Sequence, residues 1–227
     1  MSKLIGGVLL LTLAIVNDAL ARAEFLCDQA ARDASVEYDV PLEILRAITR
    51  TETGRTLEGV LKPWPWAVNV AGEGHWFETR EIAIDHVKRH VASGRRNIDI
   101  GCFQLNHRWH AAGFASIGDM FDPVANARYA AQFLTDLYDE KGDWMRAVGA
   151  YHSRTAVHAK RYKRRFSDIY ADLKDDSDGR STASLQHRTT GRFPLLRPTA
   201  TRPLRGSLVP LDNTVSRGAL LSREGGL

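Results

Sequence analysis

Apolar residues recur at helical spacing over residues 39–55 and predict a helix that buries one face. Pro41 suits the first turn of this helix, and Gly54 is placed to end it. The apolar face carries Leu42, Ile44, Leu45 and Ile48. An Ala-rich stretch over 24–38 predicts an earlier helix, and we expect the two helices to pack together.

The pattern changes over residues 62–77, which begin with two Pro-Trp pairs. Ala67–Val70 then alternates in the manner of a strand, and the Ala-Gly-Glu-Gly run that follows is a turn signal. These features predict a short hairpin or an irregular lobe. Thr79 is a candidate cap for the next helix, which should end near Gly94. Three of its residues are expected to face inward: Ile82, His86 and Val87.

A loop with a short extended piece is predicted over 97–103. Further helices are predicted over 105–112, 123–141, 143–148 and 157–173. Asp122-Pro123 is a helix-start signal, and an apolar stripe of small residues follows it. The stripe consists of Ala127, Ala130, Ala131 and Leu134. The elements together predict a mainly α domain with one small lobe.

The two ends of the chain have a different composition. Lys3, an apolar run over 4–16 and Ala21-Arg22-Ala23 predict a signal peptide over 1–23. The run is shorter than the roughly 20 residues of a membrane-spanning helix, so we expect an exported, periplasmic protein without a membrane anchor after cleavage. The folded domain is expected over 24–174. Residues 175–227 are rich in Ser, Thr, Pro, Gly and Arg, which predicts a disordered tail.

The formal net charge of +4 suits an anionic partner such as a cell-wall polymer, a membrane surface or nucleic acid. Export makes nucleic acid the least expected of these partners. Cys27 and Cys102 are the two cysteines of the chain. In an exported protein they predict one disulfide, with two buried free thiols as the alternative.

Glu52 stands where the helical pattern calls for an apolar residue. Leu45 and Ile48 lie seven and four positions before it and share its face. Glu43, by contrast, fits an ordinary solvated carboxylate. Burial and the negative end of the helix dipole both disfavour an ionised carboxylate, so we expect Glu52 to have the raised pKa that a general acid requires.

Gln104 and Asn106 lie near the end of the segment 99–106, with one apolar residue between them. Amides donate and accept hydrogen bonds without carrying charge, which suits sugar hydroxyls and acetamido groups. Capping and turn hydrogen bonds explain Asn106 nearly as well. Tyr151 follows a run of small residues and is a candidate to place its hydroxyl beside a buried acid. A core tyrosine with one satisfied hydroxyl is the commoner situation.

In this order and spacing, the segments resemble the soluble lytic transglycosylase family of the lysozyme-like superfamily. Glu52-Thr53-Gly54 resembles the family's Glu-Ser-Gly, and the segment 101–106 resembles its Gly-Leu-Met-Gln-Ile-Asn. Ala150-Tyr151-His152 resembles its Ala-Tyr-Asn, with His152 in place of the asparagine. The similarity covers approximately residues 25–170 and includes Asp122-Pro123 and Asn126.

The resemblance implies a goose-type, lysozyme-like α+β domain that cleaves peptidoglycan glycan strands. Glu52 would protonate the oxygen between N-acetylmuramic acid and N-acetylglucosamine. It would then accept a proton from the muramic O6 hydroxyl, which leaves a 1,6-anhydro end. Gln104 and Asn106 would hold the glycan, and Tyr151 would orient Glu52. The resemblance is compatible with general wall remodelling and with local wall opening for a secretion, conjugation or flagellar machine.

Two alternatives stay open. Asp99 is a candidate second carboxylate, which would make the protein a hydrolytic lysozyme, although its place before Gly101 also suits a loop-fixing aspartate. A catalytically inactive peptidoglycan-binding or scaffold protein is the other alternative. His86 and His90 stand four positions apart but lack the glutamate of the zinc-protease motif. We therefore expect no metal site and no cofactor.

Overall fold

The computed structural model describes residue 23 and residues 25–177. The predicted signal peptide over 1–23 and the predicted tail over 175–227 therefore lie outside the described residues, apart from residue 23 and residues 175–177. The last helix continues through those three residues. None of the described helices is long and apolar enough to cross a membrane.

The described residues form eight α-helices and six short strands. The helices are α1 (25–38), α2 (Leu42–Thr53), α3 (Arg80–Ala92), α4 (His107–His110), α5 (Ile117–Phe121), α6 (Pro123–Lys141), α7 (Trp144–His152) and α8 (Ala156–Ser177). The strands are β1 (Arg55–Leu57), β2 (Val60–Lys62), β3 (Ala67–Val70), β4 (Glu73–Trp76), β5 (Ile98–Ile100) and β6 (Leu105–Asn106). This architecture confirms the predicted mainly α, lysozyme-like α+β fold.

Helix α6 shows how local sequence sets an element. Asp122 caps it by accepting a hydrogen bond of 2.8 Å from the Ala125 amide, and Pro123 opens its first turn. Gly142, with a left-handed φ of 66°, ends it. The predicted stripe of Ala127, Ala130, Ala131 and Leu134 is fully buried. Thr79 caps α3 in the same way, as predicted.

Helix α2 is buried along most of its length, including the predicted Ile44, Leu45 and Ile48. It packs against α8, which also contacts α7, and α7 packs against α6. The guanidinium of Arg50 joins α2 to α1 because it donates two hydrogen bonds, 2.7 and 2.8 Å long, to the Asp28 carboxylate. Burial alone would raise the pKa of Asp28, but Arg50 holds it below its usual value.

The strands form a two-stranded hairpin, β1–β2, and a four-stranded antiparallel sheet in the order β4-β3-β5-β6. The hairpin predicted within 62–77 is β3–β4. One row of residues crosses the larger sheet, since Asn69 pairs with Asp99 and Asp99 pairs with Asn106. The sheet thereby places a polar row next to the helical layer.

Several local predictions were wrong. Ile82 is 49% exposed, and Ala83 occupies the buried position next to it. The predicted helix over 105–112 begins only at His107, because residues 105–106 pair with β5 as a strand. The short helix α5 and the hairpin β1–β2 had no periodicity long enough to predict them.

The predicted disulfide between Cys27 and Cys102 is present, with 5.6 Å between the Cα atoms. It links α1 to the turn between β5 and β6, 75 residues further along the chain. Both cysteines are buried. The bond therefore joins the helical layer to the sheet from within the core.

Replacing both cysteines, Cys27→Ala with Cys102→Ala, should lower the free energy of unfolding by about 4 kcal/mol, because the unfolded chain loses the constraint of a long closed loop. Urea unfolding followed by circular dichroism measures this change. Reduced wild-type protein should match the variant. A loss below about 1 kcal/mol would show that the bond adds little.

Candidate active site

A groove opens between the sheet and helices α4, α6 and α7. Its cavity volume of about 350 Å³ falls within the range of ligand-binding pockets. It brings together the four residues that sequence patterns predicted for catalysis or substrate binding: Glu52, Gln104, Asn106 and Tyr151. Asp99 and His152 line it as well.

Glu52 lies in the last turn of α2 and is only 5% exposed, as its place on the apolar stripe predicted. Burial raises the pKa of its carboxyl to about 7, and the nearby Tyr162 hydroxyl and Arg165 guanidinium partly oppose this rise. A carboxyl group with this pKa is substantially protonated near neutral pH. It can therefore give up a proton and take one back within the physiological range.

Tyr162, and not Tyr151, is the tyrosine that interacts directly with Glu52. The Tyr151 hydroxyl donates a 2.8 Å hydrogen bond to the Phe103 carbonyl, and its role in orienting Glu52 stays a prediction. The Tyr162 hydroxyl lies close enough to Glu52 to lower its pKa. It has no hydrogen bond of standard geometry within the described part of the chain, so its contact with the carboxyl is a loose one.

Gln104 is fixed in an unusual backbone conformation. Its φ of 48° lies in the left-handed region, which is unfavourable for a residue with a side chain. The side-chain nitrogen Nε2 of Gln104 donates two hydrogen bonds of 3.1 Å, to the backbone carbonyls of Ala67 and Gly101. These bonds hold the backbone conformation. The nitrogen is thus committed to the protein, and the amide oxygen is the atom that remains for a ligand.

Asn106 uses its amide within the protein. The nitrogen donates hydrogen bonds of 2.8 Å to both Asn97 and Asp99, and the oxygen caps α4 by accepting from the Arg108 amide. The two donated hydrogen bonds of the Asn106 side chain are therefore used within the protein. This is the alternative to sugar binding that the sequence left open. Asn106 fixes the wall of the groove by these contacts.

Asp99 is fully buried on β5. One carboxyl oxygen accepts from Asn106, and the other has no partner among the described residues. Burial raises the pKa of Asp99 well above its usual value, and the negative charge of Glu52 raises it further. Both influences favour the neutral form of Asp99. This preference does not suit the ionised second carboxylate of a conventional lysozyme.

A buried asparagine holds the turn that carries Gln104. Asn126, at the start of α6, accepts from the Phe103 amide at 2.9 Å and donates to the carbonyls of Ile100 and Met120 at 3.2 and 2.9 Å. Gly101 lies against this side chain with a left-handed φ of 81°. The turn and α6 therefore share one hydrogen-bond network.

Sequence reasoning did not identify several residues at the groove. Trp109 lines its mouth and is 65% exposed, with the Arg108 guanidinium 4.7 Å from the ring centre. Arg154 also lines the groove and forms a two-point ion pair with Glu140. An exposed tryptophan three residues after Asn106 was the available signal, because large aromatic side chains are normally buried unless they bind something.

His152 replaces the asparagine of the motif and lies at the groove. Its ring stacks on Tyr162, with 4.3 Å between centroids and an interplanar angle of 3°. The substitution therefore places an aromatic ring against the tyrosine that faces Glu52. It adds packing at the end of α7, where the motif has an amide.

His75, His86 and His90 pack as neighbouring rings, with centroids 4.8 Å apart for the first pair and 4.5 Å for the second. Burial is the main cause that lowers the pKa of His86 to about 4, so the ring is neutral at physiological pH. Across the described residues, no group of three or more His, Cys, Asp or Glu side chains is arranged to hold a metal ion.

Residues 83–173 match the family described as the transglycosylase SLT domain. The match confirms the resemblance to the soluble lytic transglycosylases. It takes in the groove residues from β5 to α8 and begins after Glu52. No curated protein and no solved structure matched the chain.

The Gly101→Ala substitution should destabilise the protein by more than Gly94→Ala. Both glycines have a left-handed φ, but a Cβ at Gly101 would lie 2.9 Å from the Asn126 amide nitrogen, whereas a Cβ at Gly94 meets nothing within 4 Å. We expect a loss of about 1–2 kcal/mol at Gly94 and roughly 1–3 kcal/mol more at Gly101. Urea unfolding compares the two variants, and equal losses would contradict the close packing of this turn.

Proposed function

Residues 83–173 carry a transglycosylase SLT domain, and we propose that the protein is a lytic transglycosylase that cleaves peptidoglycan between N-acetylmuramic acid and N-acetylglucosamine. The observation that carries the proposal is Glu52, a buried carboxyl at the groove whose pKa is raised to about 7. A general acid needs this combination of a retained proton and access to substrate.

The first step is protonation of the glycosidic oxygen by Glu52. The bond from this oxygen to the anomeric carbon then breaks, and positive charge develops on the muramic ring. The acetamido group of the substrate stabilises this charge in place of a second carboxylate. The raised pKa of Asp99, caused mainly by burial, supports a mechanism with one ionisable acid, because it disfavours an ionised aspartate on β5.

In the second step Glu52 acts as a base. It accepts the proton of the muramic O6 hydroxyl while this oxygen bonds to the anomeric carbon, which gives a 1,6-anhydro end and consumes no water. An attacking group within the same sugar is competitive, because effective molarities can reach about 10⁵ M or more when the geometry is right. The carboxyl is then protonated again and ready for another cycle.

The walls of the groove have distinct roles in this proposal. The Gln104 carbonyl oxygen accepts a hydrogen bond from the glycan, since its nitrogen is already committed. Trp109 offers a sugar ring an exposed aromatic face at the mouth. Asn106 and Tyr151 hold the surrounding backbone through their own hydrogen bonds and touch substrate only with their remaining acceptor atoms.

The setting of this activity is the periplasm, where peptidoglycan is available to an exported enzyme. The Cys27–Cys102 disulfide fits an oxidising compartment. A basic net charge of +4 also suits a wall polymer that carries carboxylates. General wall remodelling and service to an envelope-spanning secretion, conjugation or flagellar machine both make use of this chemistry.

Digestion of purified cell wall tests the proposal. The wild type should release muropeptides with 1,6-anhydro ends, identified by mass spectrometry, while Glu52→Gln should release less than about one thousandth as much because an amide cannot transfer the proton. The variant should fold normally and still bind the glycan. Reducing ends in place of anhydro ends would indicate the hydrolase, and intact wall would indicate the inactive binding protein.

The pH dependence of wall cleavage should follow the state of Glu52. Its protonated form starts the reaction, so the rate should fall about tenfold per pH unit above a midpoint near 7. Initial rates between pH 5 and 9 measure this, with circular dichroism at each pH as the control for folding. A rate that stays constant from pH 6 to 9 would contradict the role of Glu52 as the acid.

A further inference from the structure

A half-buried arginine lies behind Glu52 on α8. Arg165 follows Tyr162 by one helical turn, and α8 packs against α2, which carries Glu52. The Nη1 atom of Arg165 is buried and has no hydrogen-bond partner among the described residues. The Tyr162 hydroxyl contacts Glu52 only loosely and has no hydrogen bond of standard geometry to the described residues. Two donors without a well-formed hydrogen bond thus lie on the side of α8 that faces the acid.

Arg50, the buried arginine of α2, is arranged differently from Arg165. Arg50 is neutralised and fully oriented by its two hydrogen bonds to Asp28, so its role is structural. The Nη1 atom of Arg165 has no such hydrogen bond to an anion among the described residues. A buried guanidinium nitrogen without a partner is unfavourable, because it gives up its hydration without compensation. Such a cost is retained where the charge serves another state of the protein.

The charge of Arg165 is directed at Glu52. Burial lowers the pKa of Arg165 to about 10, and the negative charge of Glu52 is the first influence that opposes this. Conversely, Arg165 is the cation that lowers the pKa of Glu52. The guanidinium remains charged at neutral pH, while the carboxyl beside it changes its charge during a reaction cycle.

The other groups whose pKa is coupled to that of Glu52 do not supply positive charge. Asp99 faces it from β5 and Tyr151 from α7, and each is pushed toward its neutral form by Glu52. Tyr162 on α8 offers a hydroxyl dipole to the carboxylate. Among these neighbours, Arg165 alone can balance a full negative charge on the acid.

We propose that Arg165 is a positioning residue for the reaction, which stabilises the Glu52 carboxylate during the interval after its proton has moved to the leaving sugar. This inference rests on the proposed function of Glu52. When Glu52 holds its proton, Arg165 has no charge to pair with, and its Nη1 atom has no hydrogen-bond partner among the described residues. When the glycosidic bond breaks, the new carboxylate and the guanidinium form an ion pair in a buried setting. The ion pair breaks when Glu52 accepts the proton of the muramic O6 hydroxyl.

Arg165→Met tests this role, because methionine keeps a flexible apolar stem and removes the charge. Arg164→Met is the matched control, since Arg164 is exposed on the same helix and its loss changes the net charge equally. Arg165→Lys restores a positive charge without the planar guanidinium. For each variant we would measure kcat and KM on purified wall across pH, and the titration of Glu52 by carbon-13 NMR of its carboxyl, assigned with Glu52→Gln.

In Arg165→Met the NMR midpoint of Glu52 and the alkaline limb of the rate profile should both move upward by about one pH unit. The maximal kcat should fall about tenfold, with KM within about twofold, because the lost charge acts on the reacting state and not on substrate binding. Arg164→Met should match the wild type. Arg165→Lys should bring the Glu52 midpoint most of the way back to its wild-type value.

An unchanged Glu52 midpoint in Arg165→Met would overturn the inference, whatever the activity. If the methionine variant does not fold, Arg165→Gln supplies the same comparison, since it keeps hydrogen-bonding groups without the charge. The NMR titration needs no turnover, so it tests the coupling of Arg165 to Glu52 separately from the proposed transglycosylase activity. If the wild type leaves the wall intact while Arg165→Met still shifts the Glu52 midpoint, the proposed function is rejected and the electrostatic coupling is kept.

Discussion

The burial of one carboxyl group at the end of α2 is the constraint on which the rest of the site depends. Burial raises the pKa of Glu52 to about 7, because α2 is covered by α8 on one side and faces the groove on the other. The sheet supplies the opposite wall through the pairing of Asp99 with Asn106. The fold therefore sets the chemistry of Glu52 chiefly by excluding water from it.

Arg50 and Arg165 show how stability and function make different demands on similar groups. Arg50 and Asp28 satisfy each other and tie α1 to α2 in a fixed arrangement. Arg165 and Tyr162 have donors beside the acid without a well-formed hydrogen bond to the described residues. A protein optimised only for stability would fill this space with apolar side chains. The region around Glu52 instead keeps polar groups, which in our proposal become satisfied when the acid loses its proton.

Local patterns predicted much of the fold and part of the site. Periodicity and capping residues predicted α2 and α6. Glu52 was identified because it is a charged residue on the apolar face of α2. Tyr162 and Arg165 were missed because they lie more than 100 positions from Glu52 and approach it only through helix packing, which leaves no local signal. The helix over 105–112 was wrong for a related reason, since pairing with β5 overrides helical propensity at its start.

The course of the chain around the Cys27–Cys102 link has a practical consequence for how the domain is divided. The segment that matches the SLT family begins at residue 83, yet the proposed proton donor stands at residue 52 and the first half of the disulfide at residue 27. A fragment cut at the limits of that segment would keep β5, β6 and most of α8. It would lack α1 and α2, so it would leave Cys102 without its mate and Arg165 without the side chain it faces.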